Sequence, residues 1–185
     1  GSPSRNNTPE GTNIPTEWDV RSGKNILWKT PLGSQTYGNA AVANGKLYVG
    51  TNNNYGYIKR YPKEVDLGCL ICLDANTGAF LWQHSSPKLP TGRVHDWPEQ
   101  GICCSPICEG KRVWFVSSRG EVLCLDSEGF HDGENNGPFK SEDNENKDEE
   151  IRHDGRTGSL SAQHVQLFLH HRRRRPVRLH VERGG

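Results

Sequence analysis

Methionine is absent from the 185 residues, and only 32% of the chain is hydrophobic. With 21 Gly and 11 Pro, that poverty favours short strands with many turns over packed helices. Long apolar runs are missing as well. No stretch of 18 apolar residues exists, so no helical membrane span is expected. No signal peptide is visible behind Gly1-Ser2-Pro3, and the missing initiator Met leaves room for an upstream segment. Charge of one sign is also scarce overall, at +1, but this average hides two segments. Residues 1–151 carry 15 Lys and Arg against 20 Asp and Glu, an excess of five negative charges. Residues 152–185 carry eight Arg against Asp154 and Glu182, an excess of six positive ones. An acidic body argues against nucleic acid as a partner of the main segment.

What is present is a repeat. Gly68-Cys69-Leu70-Ile71-Cys72-Leu73-Asp74 recurs as Gly120-Glu121-Val122-Leu123-Cys124-Leu125-Asp126, 52 residues later. Asn44-Gly45-Lys46-Leu47-Tyr48-Val49-Gly50-Thr51 parallels Glu109-Gly110-Lys111-Arg112-Val113-Trp114-Phe115-Val116-Ser117-Ser118, with one extra residue in the second copy. Ile26-Leu27-Trp28-Lys29 matches Phe80-Leu81-Trp82-Gln83 at a spacing of 54. Short apolar runs bounded by Gly, Asn and Asp predict strands at 40–42, 47–51, 69–73 and 80–83 in the first unit. Four antiparallel strands per unit of about 50 residues is the arithmetic of a β-propeller blade. The expected fold is therefore all-β: two to three blades over 21–151, behind an N-terminal extension at 1–20. Two blades and a fraction cannot close a ring, so the remaining blades are expected beyond residue 185 or in another protein chain.

The turn Asp74-Ala75-Asn76-Thr77-Gly78-Ala79-Phe80-Leu81-Trp82 resembles the Asp-x-x-Thr-Gly-x-x-x-Trp docking motif of propellers related to pyrroloquinoline-quinone (PQQ) enzymes. In that family the Trp lies flat on the Gly of the neighbouring blade's motif, and a flat indole packs well on a bare glycine backbone. The resemblance makes Asp74, Thr77, Gly78 and Trp82 structural docking residues, with Trp28 in the same place in the preceding blade. It also implies a ring of eight blades. The second copy, Asp126-Ser127-Glu128-Gly129-Phe130, lacks the Thr-Gly pair and the following Trp. Further stretches, Pro15-Thr16-Glu17-Trp18-Asp19-Val20 and 87–98 among them, look like a bacterial group of PQQ-like repeat proteins. That group is similar to the lipoprotein subunit of the outer-membrane assembly machine, which implies a periplasmic or otherwise exported location.

From Arg152 the composition changes. Residues 152–185 hold eight of 14 Arg and five of eight His, and no Lys, Asn, Tyr, Trp or Cys. Arg172 to Arg175 would suit a nucleic-acid patch. A frameshift is the simpler reading. Residues 172–185 can be encoded so that the shifted frame reads Ala-Gly-Asp-Asp-Leu-Phe-Val-Cys-Thr-Ser-Asn-Gly-Val, another strand of the type at 45–51. The tail is therefore expected to be disordered. So is the preceding stretch 141–150, which carries six acidic residues and one Lys.

Three groups of residues invite chemistry. Adjacent Cys103 and Cys104 resemble the cysteines that form a disulfide ring beside the cofactor in PQQ-dependent alcohol dehydrogenases. Their ordinary reading is two small hydrophobes packed at a strand entry. Cys69-x-x-Cys72 mimics a metal motif, but strand side chains three apart face opposite ways, so no metal site is expected there. Arg93, His95, Asp96 and Trp97 lie between blades, where loops form binding surfaces, but a His-Asp neighbour pair is too common to imply catalysis and its ordinary reading is structural hydrogen bonding. The inserted loop 55–66, with Tyr55, Tyr57 and Tyr61, could touch a partner or pin itself. The expected function is a binding or scaffold module of the bacterial cell envelope that performs no catalysis itself. The alternative is part of a PQQ-dependent dehydrogenase, with PQQ and Ca²⁺ bound in the full-length protein.

Overall fold

The computed structural model describes residues 12, 14–94 and 96–129, and the backbone of three short strands at 150–151, 157–158 and 162–164. The architecture is all-β. Strands β1 (Ala41–Ala43), β2 (Lys46–Asn52), β3 (Leu67–Asp74) and β4 (Phe80–Pro87) form an antiparallel meander in that order. Strands β5 (Ile107–Glu109), β6 (Arg112–Val116) and β7 (Val122–Asp126) form a second. One 3₁₀ turn, Gly92–Val94, lies in the connection between them.

Of the tail, β8 (Glu150–Ile151) pairs with β9 (Thr157–Gly158), and β10 (Ala162–His164) lies antiparallel along the outer edge of β7. The rest of the acidic stretch and of the Arg-rich tail lies outside the described residues.

Alternation along β3 explains how the first sheet is buried on both sides. Leu67, Cys69, Ile71 and Leu73 face one way and join Val49, with Trp28, Leu32, Tyr57 and Phe80 packed over them. Leu70 and Cys72 face the other way, as period-two geometry requires. There they meet Tyr48 and Trp82 from their own sheet and Val113, Phe115, Leu123 and Leu125 from the second. The two sheets are thus stacked face to face around one core.

A bulge sets which side chains reach that core. Trp82 lies opposite Cys72 and Phe80 opposite Leu73, leaving Leu81 as the extra residue. Were Leu81 paired in regular register, Phe80 and Trp82 would share a face. With the bulge, Phe80 joins the outer cluster while Leu81 and Trp82 join the inter-sheet core. Strand β4 also runs four residues past Gln83, through His84-Ser85-Ser86-Pro87. Those polar residues hid it in the sequence, yet His84, Ser85 and Ser86 are buried.

The hairpins place the extra residue of the second copy. Asn44-Gly45 turns β1 into β2, both at positive φ, whereas Gly110-Lys111 turns β5 into β6. Ala75 N–H donates to the Gly45 carbonyl, and Ser127 N–H donates to that of Lys111, at 2.9 and 2.8 Å. Structurally Gly45 therefore corresponds to Lys111, and the glycine has moved one place within the turn.

Candidate functional site

The surface with most built-in chemistry lies where the sheets and their connections meet. Its first element is the turn after β3. Asp74 Oδ1 accepts from the backbone N–H groups of Asn76 and Thr77 and from Thr77 Oγ1, at 2.9, 2.8 and 2.9 Å. The bonds from Thr77, first among them the one from its hydroxyl, hold the Asp74 carboxyl below its ordinary value. This closed turn presents Gly78 at φ +71°, a conformation that costs an L-residue roughly 1–2 kcal/mol. Trp28 lies against it: a Cβ on Gly78 would sit 2.5 Å from Cε3 of that indole. The Trp28 Nε1–H donates to the Ala75 carbonyl at 3.0 Å, and Thr30 Oγ1 donates to the Gly78 carbonyl at 2.6 Å.

Trp82 stands one sheet further along. It is fully buried against Tyr48, with ring centroids 5.8 Å apart. By the repeat, Ser127 takes the place of Ala75. The Ser127 carbonyl, however, accepts from the Tyr48 hydroxyl at 2.9 Å, and Trp82 Nε1 finds no acceptor among the described residues. A Lys46–Glu128 ion pair at 2.8 Å and a bond from Asn44 Nδ2 to the Gly110 carbonyl also cross between the sheets.

The connection 88–106 holds the remaining candidates. Asp96 is turned inward and buried. It pairs with Lys88 Nζ, and its Oδ2 accepts the Leu89 N–H at 2.8 Å. Lys88 Nζ also donates to the Trp97 carbonyl at 2.8 Å. Arg93 and Trp97 stay at the surface, the guanidinium 5.9 Å from the indole ring centroid, within cation–π range. His95 lies outside the described residues. For Asp96 the structural hydrogen bonding favoured on sequence is what the structure shows; its partner Lys88, eight residues earlier, was too distant to read.

Further on, Ile102 enters the inter-sheet core, fully buried, and its N–H donates to the Thr51 carbonyl at 3.1 Å. Gly50 makes room: a Cβ there would come 2.6 Å from the Ile102 carbonyl oxygen. Both following thiols are free. Cys104 Sγ bonds both backbone groups of Val116, accepting from N–H at 3.0 Å and donating to C=O at 3.2 Å. Cys103 is exposed and its Sγ leans on the Gly101 carbonyl at 3.7 Å. The two side chains diverge, and burial raises both thiols above their ordinary values. Cys69 and Cys72 fall in the two clusters on opposite faces of β3. Among the described residues no group of three or more His, Cys, Asp and Glu gathers as metal ligands would.

The inserted loop is pinned to its own sheet. Tyr57 stacks on Phe80 with centroids 4.3 Å apart and bonds the Pro31 carbonyl, while Asn53 Nδ2 reaches the carbonyls of Tyr61, Pro62 and Val65. Among the described residues no helix is long and apolar enough to cross a membrane. Compared with protein-family models and with curated proteins, the chain matches none.

Proposed function

We propose that the two stacked sheets are successive blades of a PQQ-like β-propeller, and that this module serves as a binding or scaffold element of the bacterial cell envelope. The observation that carries the reading is the seating of Trp28 on Gly78, held by the indole N–H on the Ala75 carbonyl. It matches the family's docking geometry, in a turn with the family's residues. The partner-facing surface is the connection 88–106, where Arg93 and Trp97 are exposed on a loop braced by Lys88 and Asp96. An aromatic and an Arg presented together on a loop tied by the Lys88–Asp96 pair suit a protein partner.

The quinoprotein alternative needs its adjacent cysteines joined beside a cofactor. Here Cys104 is held by Val116 while Cys103 turns to Gly101, so the described residues do not build that ring. The test pairs two assays on one preparation. Immobilised protein should retain a binding partner from a bacterial envelope extract and lose it in the Arg93→Ala, Trp97→Ala double variant. Adding PQQ and Ca²⁺ with an alcohol and a dye acceptor should give no dye reduction. Cofactor-dependent reduction, or retention unaffected by the double variant, would count against the proposal.

A further inference from the structure

Ahead of the first sheet, residues 16–25 form a closed turn that presents an indole to solvent. Trp18 is 69% exposed. Both of its chain neighbours are nonetheless anchored. Asp19 N–H donates to the Lys24 carbonyl at 3.1 Å and Gly23 N–H to the Asp19 carbonyl at 2.9 Å, which makes an isolated antiparallel bridge between Asp19 and Lys24. Lys24 Nζ pairs with Glu17 Oε2 at 2.6 Å, and Asn25 Nδ2 donates to the Glu17 carbonyl at 2.8 Å. The Val20 carbonyl accepts from Lys29 Nζ. A large apolar ring is thus held out on a tied backbone, where an aromatic side chain would ordinarily be covered.

Beside the indole lies a hollow of about 550 Å³, lined by Thr16, Glu17, Trp18, Asp19 and Lys24. That volume falls within the range of small-molecule sites. The charges around it decide what it can take. The Arg21 backbone N–H and then the Ser22 hydroxyl hold the Asp19 carboxyl below its ordinary value, so it is ionised at neutral pH. Two carboxylates make the hollow a poor seat for an anion, and the Lys24 ammonium in the same lining opposes a cation. What remains is a ring of donors, Thr16 and Lys24, and acceptors, Glu17 and Asp19, around one apolar plane. A neutral ligand with hydroxyls at its rim and C–H groups on its face matches that arrangement.

We propose that this hollow binds a carbohydrate, with a pyranose ring stacked on the Trp18 indole and its hydroxyls shared among Thr16, Glu17, Asp19 and Lys24. The inference stands on residues 16–25 alone, and depends neither on the propeller reading nor on the envelope role.

The test is nuclear magnetic resonance on the ¹⁵N-labelled full chain, titrated with chitotetraose and with maltotetraose through the millimolar range. The expected result is a saturable shift of the Trp18 indole Nε1–H resonance with at least one of the two, while that of the buried Trp82 stays in place. Trp18→Ala removes an exposed ring, so it should keep the thermal transition and weaken binding by about tenfold or more. Trp18→Tyr retains a stacking face and should bind with intermediate affinity. No saturable shift with either sugar overturns the proposal. Binding that survives Trp18→Ala undiminished overturns it too, since the sugar then sits elsewhere. A Trp18 shift with tetramethylammonium chloride and with neither sugar makes the hollow a cation site, and likewise overturns it.

Discussion

At the residue scale, most motif positions prove to be makers of turns and contacts. Asp74 is the clearest. Its carboxyl is held below the ordinary value of 3.8 by Thr77, through the hydroxyl and the backbone N–H. A depressed folded-state value means the charged form stabilises the fold above pH 3.8, and the contribution fades as pH falls through the folded value. Asp74→Asn keeps an oxygen acceptor for the turn but cannot titrate. Urea midpoints measured against pH should show a shallower loss on acidification in the variant; identical acid limbs would remove the carboxylate from the account. Gly78→Ala adds a Cβ 2.5 Å from the Trp28 ring at φ +71°. It should cost at least the roughly 1–2 kcal/mol of the left-handed conformation, read as a lower denaturation midpoint. The thiols divide by exposure: alkylation under native conditions should modify Cys103 first, leaving Cys69, Cys72 and Cys124 until the chain unfolds. Burial pushes Cys124 up to about 11, which adds to its inertness.

At the scale of elements, the sequence revealed strands where apolar runs were unbroken and hid them where polar residues were buried. Strands β2 and β3 were legible from Leu47-Tyr48-Val49 and from Leu70-Ile71-Cys72-Leu73, because alternating burial on two faces demands such runs. The end of β4 was not. Gln83, His84 and Ser85 are buried with hydrogen-bonding neighbours, such as Gln83 Nε2 to Ser85 Oγ at 3.0 Å, and polarity alone reads as loop. The bulge at Leu81 was equally silent, since nothing local distinguishes it from a regular strand residue. It sets a sharp prediction. Deleting Leu81 makes Phe80 and Trp82 neighbours, which period-two alternation still sends to opposite faces, so both clusters stay filled and the cost is that of one partly buried side chain. Leu81→Ala loses the same side chain and should cost a similar amount. A much larger loss for the deletion than for Leu81→Ala in chemical denaturation would argue against Leu81 as the extra residue of the strand. The candidate loop was legible only in part, because whether Asp96 faces water or Lys88 depends on the path of the chain.

For the whole molecule, the decisive feature is that one core serves two sheets. Tyr48, Leu70 and Trp82 from one side and Val113, Phe115 and Leu123 from the other close over Ile102. Ile102→Ala should cost about 2–5 kcal/mol and destabilise both sheets together, seen as an equal drop in hydrogen-exchange protection in β3 and β6. The repeat explains why the stack has a direction: Trp28 relates to the first sheet as Trp82 does to the second. At Ser127 Tyr48 takes the carbonyl and, among the described residues, the Trp82 N–H has no acceptor, so the second contact differs from the first. The most direct check of this stacking is the nuclear Overhauser spectrum of Trp28 and Gly78. Repeat docking predicts close contacts between the Trp28 ring and the Gly78 α-protons, with those protons shifted upfield by the indole. Gly78 protons at random-coil positions, with no contact to Trp28, would contradict it.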